Sequence, residues 1–255
     1  MRAKGWEKHG TATINGKTDV VNKGPVLGIE TSGRSTGLAL ADSGKIIAEL
    51  VENTSCGHNE VLMPLLGRLL EDAKVDVRRL AGIGVDIGPG MFTALRVGVS
   101  TAKGLAIAHR IPVKGLGSLW GLARTALPTL DGILAVMDAR KHQVYAAIYL
   151  ACSEPVPAAV VTPEELLAMT TRALPQRSSL SAAGDGISLC SDLFADAGIK
   201  LVPSGVDAPS PGVIAIEAAK RIAQGQADDI GTLEPLYLRR TDAELTREKK
   251  LNAMQ

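Results

Sequence analysis

PVLGIETSGRSTGLALADSGKIIAEL, residues Pro25 to Leu50, divides into three strand-like runs, Val26–Glu30, Gly37–Ala41 and Ile46–Leu50, joined by polar Gly/Ser turns of the kind that close hairpins. An antiparallel meander is predicted here. A helix from about His58 follows, then a strand over Ala81–Asp86 that ends in Gly88-Pro89-Gly90, then a helix from Phe92. The order is β-β-β-α-β-α.

The same order returns further on. In ILAVMDARKHQVYAAIYL (133–150) a buried strand ends at Asp138, a polar turn follows, and an alternating strand, Val144–Tyr149, pairs back, with Ala158–Val161 as the third. Pro163 at a first helical position, Thr162 as N-cap and Glu164 and Glu165 in the first turn start a helix. Leu180–Ala183 is strand-like, Gly184-Asp185-Gly186 is a turn, and Val213–Ile222 is helical. This internal duplication predicts a two-lobed α/β fold. The expected organisation is a polar extension (1–24), a first lobe (25–112), a second lobe (113–240) whose helix near 212–225 packs back on the first, and a charged tail (241–255).

The first lobe carries two helices richer in apolar residues than one core requires. In GPGMFTALRVGVSTAKGLAIAHR (88–110), Phe92, Leu95, Val99, Ala102 and Ala106 form one side; Ala94, Gly98, Thr101, Leu105 and Ala108 form a second stripe at helical spacing. Only Arg96, Lys103 and Arg110 interrupt with charge. Between Cys56 and Ala73, Val61, Leu62, Leu65, Leu66, Leu69 and Leu70 come in adjacent pairs every four positions. Two such helices side by side suit a partner helix pair, or a covering by their own domain.

Composition bounds the function. With 255 residues, 45% of them hydrophobic, the chain can bury a sizeable core, and a formal net charge of +1 supplies no strong field for nucleic acid. Cys56, Cys152 and Cys190 are odd in number and far apart, which excludes a disulfide framework or zinc knuckle and fits a reducing cytoplasm. No stretch reads as a membrane span. A P-loop and a G-x-S-x-G elbow are both missing, and His9, His58, His109 and His142 contain no pair four apart: Leu62 stands where a second ligand would follow His58.

Two lobes of this order, each closing its first strand on an acidic residue, Glu30 and Asp138, resemble the actin/hexokinase/heat-shock-chaperone superfamily. That resemblance implies a cleft between the lobes where such carboxylates manage the metal of a nucleotide and hairpin turns cradle phosphates. The candidate vestigial nucleotide cleft is Glu30, Thr31, Ser32, Asp138, Gly184 and Gly186, with no metal, cofactor or catalytic residue expected; from spacing alone, each acidic residue reads rather as a strand end that starts a turn. IETSGRSTGLAL, GHNEVLMPLL, GPGMFTALRVGVSTAKGLA, VMDARKHQVYAAIY and EPLYLRR, in that order between about Pro25 and Arg240, narrow the likeness to the bacterial TsaB (YeaZ) family.

The resemblance implies a non-catalytic partner of TsaD, the enzyme that transfers threonylcarbamoyl to the adenosine beside the anticodon of ANN-reading tRNAs, with the ATPase TsaE joining them and tRNA reached only through the complex. The family contact is a helical bundle, which singles out Leu62, Leu66, Leu70, Leu95, Val99 and Ala102, the outward stripe being left open by the sequence. A homodimer through the same helices is open to the isolated chain. The family pattern has Asp where this chain has Glu30, and Ser and Gly where it has Met91 and Ala94. Glu30 would displace a metal by about a methylene length and Met91 removes a hydroxyl, and both weaken a nucleotide site. The alternative is a stand-alone nucleotide-dependent enzyme, a small kinase or ATPase, using Glu30 and Asp138.

Overall fold

The structure is a computed structural model that describes residues 12–14, 17–19, 24–53, 57–126, 132–150 and 153–239. After a short hairpin, β1 (Ala12–Ile14) and β2 (Lys17–Asp19), strand β3 (Val26–Glu30) is buried at all five positions and therefore needs cover on both faces. It forms the centre of a five-stranded sheet with β4 (Ser35–Asp42), β5 (Lys45–Asn53), β6 (Gly82–Gly88) and β7 (Val113–Gly117), in the order β5-β4-β3-β6-β7. The meander strands pair antiparallel and β3-β6-β7 pair parallel.

A second five-stranded sheet repeats this strand for strand. β8 (Ile133–Asp138), β9 (Val144–Leu150), β10 (Ser153–Val161), β11 (Ser179–Ala183) and β12 (Lys200–Pro203) lie in the order β10-β9-β8-β11-β12, with the same antiparallel and parallel pairs. This duplicated two-lobed α/β topology is the one the internal duplication of the sequence predicts. Each unit has one strand and one helix more than the sequence reading expects. The missed strands, β7 (VKGLG) and β12 (KLVP), are edge strands whose short runs are broken by lysine, glycine or proline, so no strand pattern registers. The first sheet consequently runs on to Gly117, past the expected lobe boundary at 112/113.

Helices α1 (His58–Asp72) and α2 (Phe92–His109) cover one face of the first sheet. Arg110 stops α2 in the left-handed region, its N–H returning to Ala106. In the second lobe, α4 (Pro163–Ala173) starts on a complete capping box, Thr162 and Glu165 each accepting the other's backbone N–H, and α5 (Ser191–Asp196) follows a short 3-10 turn.

The last helix of each half crosses to the other: α3 (Ser118–Ala126), leaving β7, lies mainly on the second sheet, and α6 (Pro211–Ala223), leaving β12, lies on the first. Glycines on the first sheet make room for α6. A Cβ at Gly28 would stand 2.1 Å from the Pro211 carbonyl oxygen, and one at Gly84 would stand 2.6 Å from Ala218 Cβ. Each lobe's core is thereby closed by a helix from the other half. The expected extension (1–24) and tail (241–255) lie almost entirely outside the described residues, as do Cys56 and Cys152; Cys190 is a buried free thiol.

Candidate functional site

The interlobe cleft holds a cavity of about 370 Å³ bordered by Ser32, Gly90, Phe92, Asp138, Asp185 and Tyr237 among others. Of the six residues expected there, Ser32 and Asp138 line it. Glu30 and Thr31 are buried and do not border it. Glu30 is 1% exposed, and its Oε1 accepts from Ser32 N–H (2.7 Å) and Ser32 Oγ (2.6 Å). Burial first, and then the neighbouring Asp86 carboxyl, push Glu30 up to about 8.

Thr31 Oγ1 donates to the Ala94 carbonyl of α2, and Met91 N–H donates to the Ser32 carbonyl, so the β3–β4 turn is clamped onto the start of α2. A Cβ at Gly90 would meet Ser32 at 2.5 Å. Asp138 is spent on its own turn, its carboxylate accepting from Arg140 N–H (2.7 Å) and Arg140 Nη1 (3.2 Å). Gly184 and Gly186 are needed for backbone contact with β8: a Cβ at Gly184 would stand 2.0 Å from the Val136 oxygen, and Gly186 N–H bonds that same oxygen.

The residues present do not fit a metal-bound nucleotide. The first-strand carboxyl is internally bonded and biased toward its neutral form, and the turn that would cradle phosphate is packed against Gly90.

The helix pair requires a correction. Leu62, Leu66, Leu95, Val99 and Ala102 are all at most 3% exposed and Leu70 is partly buried, so these six side chains pack α1 and α2 onto their own sheet. The physical reason is area: of two competing stripes, the one with the larger side chains gains more by going inside. The stripe left outside is Met63 and Gly67 on α1, with Thr93, Arg96, Ser100, Gly104 and Ile107 on α2; Met63 is 53% and Ile107 67% exposed. Nothing stands within 4 Å of a Cβ built at Gly67 or Gly104. Small residues in the open on adjacent helices leave a shallow channel between their flanking side chains.

His58, at the start of α1, is 8% exposed and its Nδ1 pairs with Thr36 Oγ1 at 2.9 Å; burial lowers its pKa. It ties α1 to β4. Several residues in the cleft or packed behind its lining escaped the sequence reading: Asp86, buried near the end of β6; Asp185, which accepts from Asp138 N–H; and Phe92, Tyr237 and Arg239, with Arg96 bonded to Tyr237. An acidic residue inside the apolar run GIGVDIG was a usable signal for Asp86. Phe92, read as core-facing, is 36% exposed at the cleft mouth.

Residues 23–246 match the family model described as TsaD: tRNA N6-adenosine threonylcarbamoyltransferase. The tRNA threonylcarbamoyladenosine biosynthesis protein TsaB of Bacillus subtilis is 36% identical over 125 residues, 49% of this chain, and the matched stretch spans only about half (54%) of that relative's length. The Escherichia coli protein of the same name is 26% identical over 221 residues, 84% of this chain and 94% of its own. Among solved structures, YeaZ from Pseudomonas aeruginosa superposes with a TM-score of 0.70 at 25% identity, covering 84% of this chain and 100% of that one. The chain belongs to the family of TsaD: tRNA N6-adenosine threonylcarbamoyltransferase and, within it, to the TsaB (YeaZ) proteins.

Proposed function

We infer that this chain is a non-catalytic subunit in tRNA threonylcarbamoyladenosine biosynthesis, which docks a TsaD homologue and supports its transfer of threonylcarbamoyl to tRNA. The observation that carries the reading is the outward stripe of α1 and α2, where Met63, Gly67, Ser100, Gly104 and Ile107 offer a second helix pair close approach and apolar cover. An intermolecular helical bundle buries this stripe. Arg68 and Glu71 on α1, with the stripe's own Arg96 on α2, supply charge around its apolar part.

The chemistry comes from the partner. His58 is bonded to Thr36 with Leu62 one turn on, and Glu30 is turned into the protein, so this chain contributes binding surface. A TsaE-type ATPase joins the larger assembly, and tRNA is met through the complex. The isolated chain can pair with itself through the same stripe, a two-fold contact the partner would displace.

Mixing the purified chain with its TsaD homologue and following association by light scattering tests the reading, together with threonylcarbamoyl transfer to tRNA with and without this chain. Association and dependence of transfer on the chain support it. Failure to associate, with ATP hydrolysis by the chain alone, favours the stand-alone enzyme.

A further inference from the structure

After α6, which lies on the first sheet, the chain continues along the first lobe. Asp228 pairs with Val113 on the edge of the first sheet, its carboxylate accepting from Lys114 Nζ (2.6 Å) and Gly115 N–H (2.7 Å). Leu233 then enters the first lobe's core, and Lys103 Nζ of α2 donates to its carbonyl at 3.0 Å. Leu236 N–H donates to the Ile87 carbonyl at 2.6 Å, at the end of β6. Gly88, at φ 112°, lets this segment close in: a Cβ there would stand 2.9 Å from the Leu236 carbonyl oxygen.

Over the next residues the segment crosses the cleft. The Tyr237 ring packs on Phe92 with centroids 4.9 Å apart, and its hydroxyl accepts from Arg96 Nε at 2.9 Å, while the Arg96 guanidinium lies 3.9 Å above the Phe92 ring. Arg239 Nη1 then donates to the Ala139 carbonyl at 2.7 Å, in the β8–β9 turn of the second lobe. That turn holds Arg140, Lys141 and His142 all at positive φ, a backbone that is costly unless something over-determines it.

We propose that Leu233–Arg239 is a clasp that holds the two lobes closed over the interlobe cavity, anchored on the first lobe by Leu233, Leu236 and Tyr237 and latched on the second by Arg239. Leu236, Tyr237, Leu238 and Arg239 form one wall of that cavity, so lifting the clasp widens the way to Ser32 and Asp138. Because Tyr237 rests on Phe92 and Arg96, lifting it frees the first turn of α2. Lobe opening and the state of that turn are therefore linked. This inference stands on intrachain contacts and holds whether or not the outward stripe of α1 and α2 binds a partner.

Hydrogen exchange on the full chain, read by mass spectrometry, tests it. In the unaltered protein the Leu236 amide is expected to be protected, and residues 32–34 and 139–143 to exchange together with it as one opening unit. Arg239→Ala should raise exchange in all three segments by about tenfold, the loss of one charge-assisted hydrogen bond, with the amides of the α2 core unchanged. Tyr237→Phe, which keeps the ring on Phe92, should have a smaller effect than Tyr237→Ala.

Rapid exchange of Leu236 in the unaltered protein overturns the clasp, as does an Arg239→Ala variant in which residues 139–143 and 32–34 do not respond. Should the alanine variants fail to fold, the unaltered protein still decides: unrelated exchange rates in the three segments overturn the proposal.

Discussion

Glu30 and Asp86 stand side by side at the ends of two parallel strands. Ile29 pairs with Val85, and the two carboxyls that follow are 1% and 0% exposed. The groups acting on them are hydroxyls, backbone N–H groups and, for Glu30, Asp86 itself. Asp86 Oδ1 accepts from Gly88 N–H and Ser118 Oγ, whereas its Oδ2 is, among the described residues, a buried oxygen without a partner. Burial pushes Asp86 up to about 6 and Glu30 to about 8, so near neutrality the pair holds a proton.

The sign of the pH dependence follows. Glu30 binds its proton more tightly folded than unfolded, so its favourable contribution is complete at low pH and is lost as pH rises from its ordinary value of 4.5 to about 8. Within that window stability should fall by at most about 1.4 kcal/mol per pH unit from this group. Glu30→Gln keeps an acceptor for Ser32 and removes the titration. Denaturant unfolding at pH 6 and pH 8.5 should show a flatter dependence in the variant, and identical slopes would refute the shared proton.

Gly104 sits in the middle of α2 with open space around it. Gly104→Ala should therefore stabilise the isolated chain by about 0.5–1 kcal/mol, since nothing opposes the methyl and the helix gains propensity. Gly104→Arg should leave folding intact and weaken association with the TsaD homologue at least tenfold, measured by titration calorimetry. Unaltered affinity would move the contact elsewhere.

Leu66 and Val99 behave oppositely. Both belong to the first lobe's core and are 3% exposed. Leu66→Ala should cost about 2–5 kcal/mol of folding free energy by transfer loss and cavity formation. Thermal and denaturant melts check this directly. A variant that folds normally but no longer associates would return these side chains to the interface.

Gly84 lies under α6, where a Cβ would stand 2.6 Å from Ala218 Cβ and 2.8 Å from the Ile214 oxygen. Gly84→Ala should cost about 1–3 kcal/mol by forcing α6 off the first sheet. Because α6 arrives from the second half of the chain, the loss should appear in a single unfolding transition. Two separate transitions would mean the lobes fold independently of the exchanged helices.

Local pattern was enough for many elements. Val26–Glu30, the start of α2 at Phe92 and the Thr162 N-cap of α4 are legible in the residues because periodicity, turn chemistry and capping act over a few positions. The duplication was legible for the same reason, being two copies of one local order. Tertiary structure alone decided the rest. Which stripe of α2 faces in is a comparison of buried areas between surfaces the sequence does not juxtapose, and the larger Leu95 and Val99 won over Ser100 and Gly104. The short edge strands, the packing of α6 on the first sheet, where Gly28 meets Pro211, and the reach of Arg239 to Ala139 depend on residues far apart in the chain, and no local rule encodes where such partners meet.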